Sequence, residues 1–170
     1  MPKSRTLINK MNNVQFMEIF GGIYEHSPWV AERAWNAGIS EKHDKIDELA
    51  TLMARMVEEA SESEKRALIE AHPDLAGKAA KQGELTAAST SEQVGAGLDS
   101  CTAEEFAAFQ EYNTAYKEKF GFPFIMAVKN RDRHEILAGF EERLQNSPEE
   151  EFARALAEID KIARFRLAEL

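Results

Sequence analysis

The chain has 170 residues, 44% of them hydrophobic and 30% charged, with a formal net charge of −9. That length fits one domain spanning 1–170, the apolar share is enough for a real core, and the acidic balance argues against nucleic acid, whose phosphates call for a basic stripe. No apolar run approaches the roughly 20 residues that span a bilayer, Met1 to Lys10 lacks an apolar signal core, Ala168-Glu169-Leu170 is not a peroxisomal address, and the single cysteine, Cys101, allows no internal disulfide, so we expect a cytoplasmic protein that is not membrane-bound.

Taken in chain order, nearly every segment has helical periodicity. Leu7, Met11, Val14 and Met17 predict a helix over Thr6 to Phe20, broken at Gly21-Gly22. Ser27-Pro28 reads as an N-cap with proline at the first helical position, starting a helix from Trp29 to Ala37 that stops at Gly38. Ile46, Leu49, Met53, Met56 and Val57 form one stripe from about His43 to Ala60. Ser61 and Glu64 make a capping box for a short helix ending near His72; Thr102 and Glu105 make another, opening a helix that Gly121 closes after Phe120. Ile136, Leu137, Phe140 and Leu144 mark a helix from about Asp132 to Gln145, and Ser147, Pro148 and Glu150 combine cap, proline and capping box before the last one. The fold class is all-α, a single-domain bundle of about seven to nine helices.

Two stretches differ. Phe122-Pro123-Phe124-Ile125-Met126-Ala127-Val128 is apolar throughout and has no second strand to pair with, so it reads as a short extended, buried connector near 122–128. Its backbone groups need partners, and a polar ligand can be one of them. Ala79 to Gly97 is the longest non-periodic part, and long irregular stretches in compact domains are often functional.

Three polar residues carry the candidate chemistry. His72 stands at a helix end, where an imidazole can simply satisfy the last carbonyls; Pro73 and Gly77 restrict the turn behind it and favour a proton-handling role. Glu92 completes a Ser89-x-x-Glu92 pattern that is a capping box in its own right. The same helix start would offer free N–H groups to an anion, with Ser89, Thr90, Ser91 and Gln93 adding donors. Arg166 interrupts the apolar band Phe152, Leu156, Ile159, Ala163 and Leu170 of the final helix. A guanidinium there must be paired, snorkel outwards or grip a carboxylate, and an apolar replacement need not harm folding. His26, His43 and His134 show no metal-ligand spacing, Cys101 reads as a structural thiol, and neither GxGxxG nor a P-loop occurs, so no metal and no cofactor is expected.

At these residues the chain resembles the OHCU decarboxylases (2-oxo-4-hydroxy-4-carboxy-5-ureidoimidazoline decarboxylases) of urate degradation. The resemblance runs through Gly21-Gly22-Ile23-Tyr24-Glu25-His26-Ser27-Pro28-Trp29, through His72-Pro73-Asp74-Leu75-Ala76-Gly77-Lys78, and through Gly83-Glu84-Leu85-Thr86. It continues in Ser89 to Gln93 and in Tyr116-Lys117-Glu118-Lys119-Phe120-Gly121-Phe122-Pro123-Phe124. It implies an all-helical, cofactor-free carboxy-lyase, commonly a homodimer, that converts OHCU to (S)-allantoin. It further implies that His72 is catalytic with Glu92 and Arg166 in support. Pro73, Ser89, Thr90, Ser91, Glu92, Gln93, Phe124, Ile125, Met126, Ala127 and Val128 would contact the substrate, several through backbone. Two other readings are a helical binding or regulatory module, and another cofactor-free lyase or hydrolase acting on a related ureide. The first leaves His72-Pro73, the Ser89 to Gln93 cluster and Arg166 without a purpose.

Overall fold

A computed structural model describes residues 7–77 and 85–170. Thr6, Lys78, Gly83-Glu84 and the opening of the Ala79 to Gly97 stretch lie outside the described residues. Among those described, the chain is all-α, with eight α-helices: α1 (Asn13–Phe20), α2 (Trp29–Ala37), α3 (Ile46–Glu58), α4 (Glu62–Glu70), α5 (Ala87–Gly95), α6 (Ala103–Phe120), α7 (Arg133–Arg143) and α8 (Pro148–Ala168). Short 3-10 turns cover Ile8–Lys10, Glu41–Asp44 and Leu98–Ser100. No described helix is long and apolar enough to cross a membrane. The chain forms two compact units, one of residues up to Ala71 together with Ala163–Leu170, the other of His72–Ile162.

In the first unit α1 begins later than the periodicity predicts. Asn12 and Gln15 form a reciprocal capping box, Gln15 N–H donating to Asn12 Oδ1 (2.9 Å) and Asn12 N–H to Gln15 Oε1 (3.0 Å). Starting there turns Phe16 and Phe20, one helical turn apart, into the core, while Leu7 and Val14 of the expected stripe are 54% and 64% exposed. Phe16 packs on Phe20 and Trp35 with centroids 4.9 and 5.3 Å apart. Before α2 the Ser27 hydroxyl does not cap; it donates to the Glu25 carbonyl, and Pro28 opens the helical turn with φ −62°. Of the expected α3 stripe, Leu49, Met53, Met56 and Val57 are buried, and Ile46 at the helix start is half-buried. The Ser61–Glu64 capping box of α4 also forms.

His43 lies in the 3-10 turn that precedes α3, where its Nδ1 accepts the Ser40 N–H at 2.9 Å. Burial, with help from Lys42, pushes its imidazole below the ordinary range. The unfolded chain therefore takes the proton more readily than the folded one, and stability should fall as pH drops through about 6.5 towards the folded value. Thermal melts at stepped pH should show this loss, and His43→Gln should flatten the curve in that window. An equal slope in the variant would assign the acid sensitivity to other groups.

The second unit is built on aromatic packing. Thr102 and Glu105 cap α6 as expected, and Gly121, at φ +79°, closes it in a left-handed conformation that suits glycine. The chain then runs through 122–128 without helix or strand, every residue buried. Phe124 stacks on Phe140 at 3.8 Å, and Tyr116 meets Phe124 edge-on at 5.3 Å.

Charged side chains supply backbone partners for this connector. Arg143 Nη1 donates to the Ile125 carbonyl, and Glu158 Oε1 accepts the Ala127 N–H at 3.0 Å. Burial opposes ionisation of Glu158, but Lys161 and the Ala127 N–H outweigh it and hold the carboxyl below its usual range. Glu151 Oε1 takes Arg143 Nε at 2.7 Å and the Tyr116 hydroxyl at 2.6 Å, while Oε2 takes Asn146 at 2.9 Å.

These partnerships set the inward face of α8. Glu151, Ala155, Glu158, Ile159, Ala163, Arg166 and Leu167 are buried, whereas Phe152 and Leu156 are half-buried and Leu170 is exposed. The apolar band expected from the sequence is thus rotated, because two glutamates with buried partners turn inward where an apolar pattern alone would keep them out.

Candidate active site

Helix α4 ends at Glu70 with Ala71 as its C-cap, so His72 stands just beyond the helix and is buried at 8% exposure. Pro73 keeps the helix from continuing. The turn that follows is tight. Ala76 takes φ +52°, a left-handed conformation unusual for a residue with a Cβ. A Cβ on Gly77 would lie 2.7 Å from Asp74 Cβ, so only glycine lets the chain fold back there.

Side chains of α5 and α6 hold this turn. Gln93 Oε1 accepts the Ala76 N–H at 3.0 Å, and its Nε2 donates to the Asp74 carbonyl at 3.2 Å. Asn113 Nδ2 donates to the Leu75 carbonyl at 2.9 Å and Gln110 Nε2 to that of Ala76 at 2.8 Å. Lys117 Nζ pairs with Asp74 Oδ2 at 2.6 Å on a more exposed edge.

The capping box expected at Ser89 and Glu92 does not form. Thr86 caps α5 one turn earlier, its Oγ1 accepting the Ser89 N–H at 3.2 Å. Threonine caps a little less well than serine but far better than an apolar residue, and the intervening alanines favour helix, so the earlier start wins. The anion site expected of a helix opening at Ser89 is lost with it. What remains is a face: Ser89 and Gln93 are buried, Glu92 is half-buried beside them, and Thr90 and Ser91 point outwards.

Arg166 belongs to the first unit and is paired. Its Nη2 donates to Glu25 Oε2 at 3.0 Å and its Nη1 to the Ile23 carbonyl at 3.1 Å. At 7% exposure it does not snorkel, and Glu25 is only 2% exposed. Sequence reasoning missed Glu25. Its signal was a carboxylate directly after apolar Ile23-Tyr24 and before His26, which takes φ +47°. It also missed the amides Gln110 and Asn113, which share one face of α6 with Lys117 at helical spacing.

Comparison with known proteins agrees over nearly the whole chain. The family model for OHCU decarboxylase matches residues 9–168. A Haloferax volcanii protein named 2-oxo-4-hydroxy-4-carboxy-5-ureidoimidazoline decarboxylase is 44% identical over 95% of this chain and 92% of its own length. A Mus musculus protein of the same name is 34% identical over 96% of this chain and 90% of its own. The crystal structure of an (S)-allantoin synthase aligns with TM-score 0.73 and 34% identity, covering 95% of this chain and 51% of that one, so this chain spans about half its length. A crystal structure of OHCU decarboxylase in the presence of (S)-allantoin aligns with TM-score 0.67 and 25% identity, covering 83% of this chain and 89% of that one. With its helical fold, its buried histidine beyond a helix end and this agreement across its length, the chain belongs to the OHCU decarboxylase family.

Proposed function

We propose that this chain, as a single functional domain, decarboxylates 2-oxo-4-hydroxy-4-carboxy-5-ureidoimidazoline to (S)-allantoin. The observation that carries the reading is His72, a buried imidazole set beyond a helix end by Pro73 and a side-chain-held turn, in a chain of this family. The reaction needs no added electron sink. The carboxylated ring carbon bears a hydroxyl and adjoins the C=N carbon that carries the ureido group. As the bond to the carboxylate breaks and CO₂ leaves, its electron pair forms a C=C bond and the C=N pair moves to nitrogen, which takes a proton. Protonation of the ureido-bearing carbon and loss of the hydroxyl proton then give allantoin.

The residue roles follow from that chemistry. His72 takes the hydroxyl proton or delivers one to carbon, a contribution of about 10²–10⁴ in rate for a positioned acid or base. Glu92 orients the hydroxyl or the imidazole. Arg166 anchors an anionic or carbonyl oxygen, and must not favour the ground-state carboxylate over the transition state. Pro73, Ser89 to Gln93 and backbone groups of Phe124 to Val128 contact the substrate. A protein-held proton arriving on one face produces one enantiomer. The enzyme works in the cytoplasm, without a cofactor, as a homodimer.

The direct test is the ultraviolet decay of freshly made urate-oxidation products with and without the protein. Accelerated decay is expected; an unchanged rate would contradict the assignment. Glu92 has its own test. Because Glu92 does not cap α5, Glu92→Gln should leave the melting temperature nearly unchanged while turnover falls sharply. Unchanged turnover would remove the carboxylate from the mechanism.

A further inference from the structure

We propose that Gln93, Gln110 and Asn113 are positioning residues for His72, fixing its placement through the turn Asp74–Gly77; this rests on the reading of His72 as the proton-transfer group. Three consecutive peptide carbonyls, those of Asp74, Leu75 and Ala76, each accept a side-chain amide, from Gln93, Asn113 and Gln110 respectively. The Ala76 N–H is taken by the other end of Gln93. Both polar ends of Gln93 therefore face the turn and hold it.

The turn needs such holding. An alanine in the left-handed region is disfavoured and persists only where its surroundings over-determine it. Buried amides are a costly way to fill space, and Gln93 and Asn113 are both buried. Asn113 Oδ1 is buried with no hydrogen-bond partner among the described residues, while Nδ2 reaches the Leu75 carbonyl. The amide orientation thus serves the turn at the expense of its own oxygen. The holding groups are neutral, so they fix geometry without adding a charge beside the imidazole. The one charged contact, Lys117 to Asp74, sits at the half-exposed edge, where solvent screens it. His72 lies two to four residues before these anchored peptides, with Pro73 restricting the backbone between. Displacing a catalytic group by about 1 Å can cost on the order of 100-fold in rate.

Gln110 gives the cleanest test because it is only half-buried. Gln110→Met removes the donor and keeps the length; Gln110→Lys restores a donor. Steady-state turnover of OHCU, thermal melting and a parallel His72→Ala variant complete the set. Gln110→Met should stay folded and lose about 10- to 100-fold in kcat with KM within about threefold, and Gln110→Lys should recover most of it. Asn113→Leu should show the same split if it folds. Parental kcat in folded Gln110→Met beside an inactive His72→Ala would overturn the positioning role and leave the His72 assignment standing. So would a loss confined to KM, or an equal loss in Gln110→Lys. Near-normal turnover by His72→Ala would overturn the underlying reading itself.

Discussion

His72→Ala should lose most of the catalysed rate while the protein remains folded. A positioned proton-transfer group is worth about 10²–10⁴ in rate. The turn behind His72 is anchored through the backbone of residues 74–76, so those bonds survive the substitution. His72→Asn can hydrogen-bond but cannot shuttle a proton at neutral pH, and should be nearly as poor. Turnover measured beside far-ultraviolet circular dichroism melts checks both halves. Near-normal turnover by a folded variant would remove His72 from the chemistry.

Arg166→Met should lower stability sharply, and here the structure reverses the expectation from the sequence. An arginine in an apolar band invites apolar replacement only while it is unpaired. Paired, its removal takes an ion-pair partner from Glu25, a carboxylate that is 2% exposed. Breaking one side of a buried ion pair costs about 3–5 kcal/mol. For a chain of this size that is a fall in Tm of about 6–20 °C. The double variant Glu25→Gln with Arg166→Met removes the buried carboxylate charge as well and should recover much of the loss. Turnover and (S)-allantoin binding in that double variant separate the two roles of the guanidinium. Low activity with restored stability supports substrate anchoring; restored activity would make Arg166 a structural partner of Glu25 alone. Arg166→Lys should recover only part of either property, because a point charge cannot serve Ile23 and Glu25 with one planar fork.

The contrast between Arg166 and His72 shows what could be read from sequence. Local signals held where one residue decides the outcome. The capping boxes at Ser61 and Thr102 formed, Gly38 and Gly121 ended their helices with positive φ, and the run 122–128 proved buried and neither helix nor strand. Local signals failed where two neighbours compete. Thr86 took the capping role from Ser89, and the Asn12 cap started its helix later than the apolar periodicity implies. Buried charge was the least legible feature. Glu151 lies in Pro148-Glu149-Glu150-Glu151, which reads as acidic residues complementing a helix start, and Arg143 follows Glu141-Glu142, which reads as a solvated face. Only their tertiary partners, Tyr116, Ile125 and each other, show that both are core residues. The same holds for Gln110 and Asn113. Amides at helical spacing look like surface until the turn they hold is in place.

Circular dichroism followed during turnover of freshly made OHCU tests the central claim most directly. Spontaneous decay protonates either face and gives racemic allantoin. The account predicts an ellipticity of one sign, that of (S)-allantoin, growing as the substrate absorbance falls and at a rate proportional to protein concentration. Decay at the spontaneous rate with no net ellipticity would contradict it.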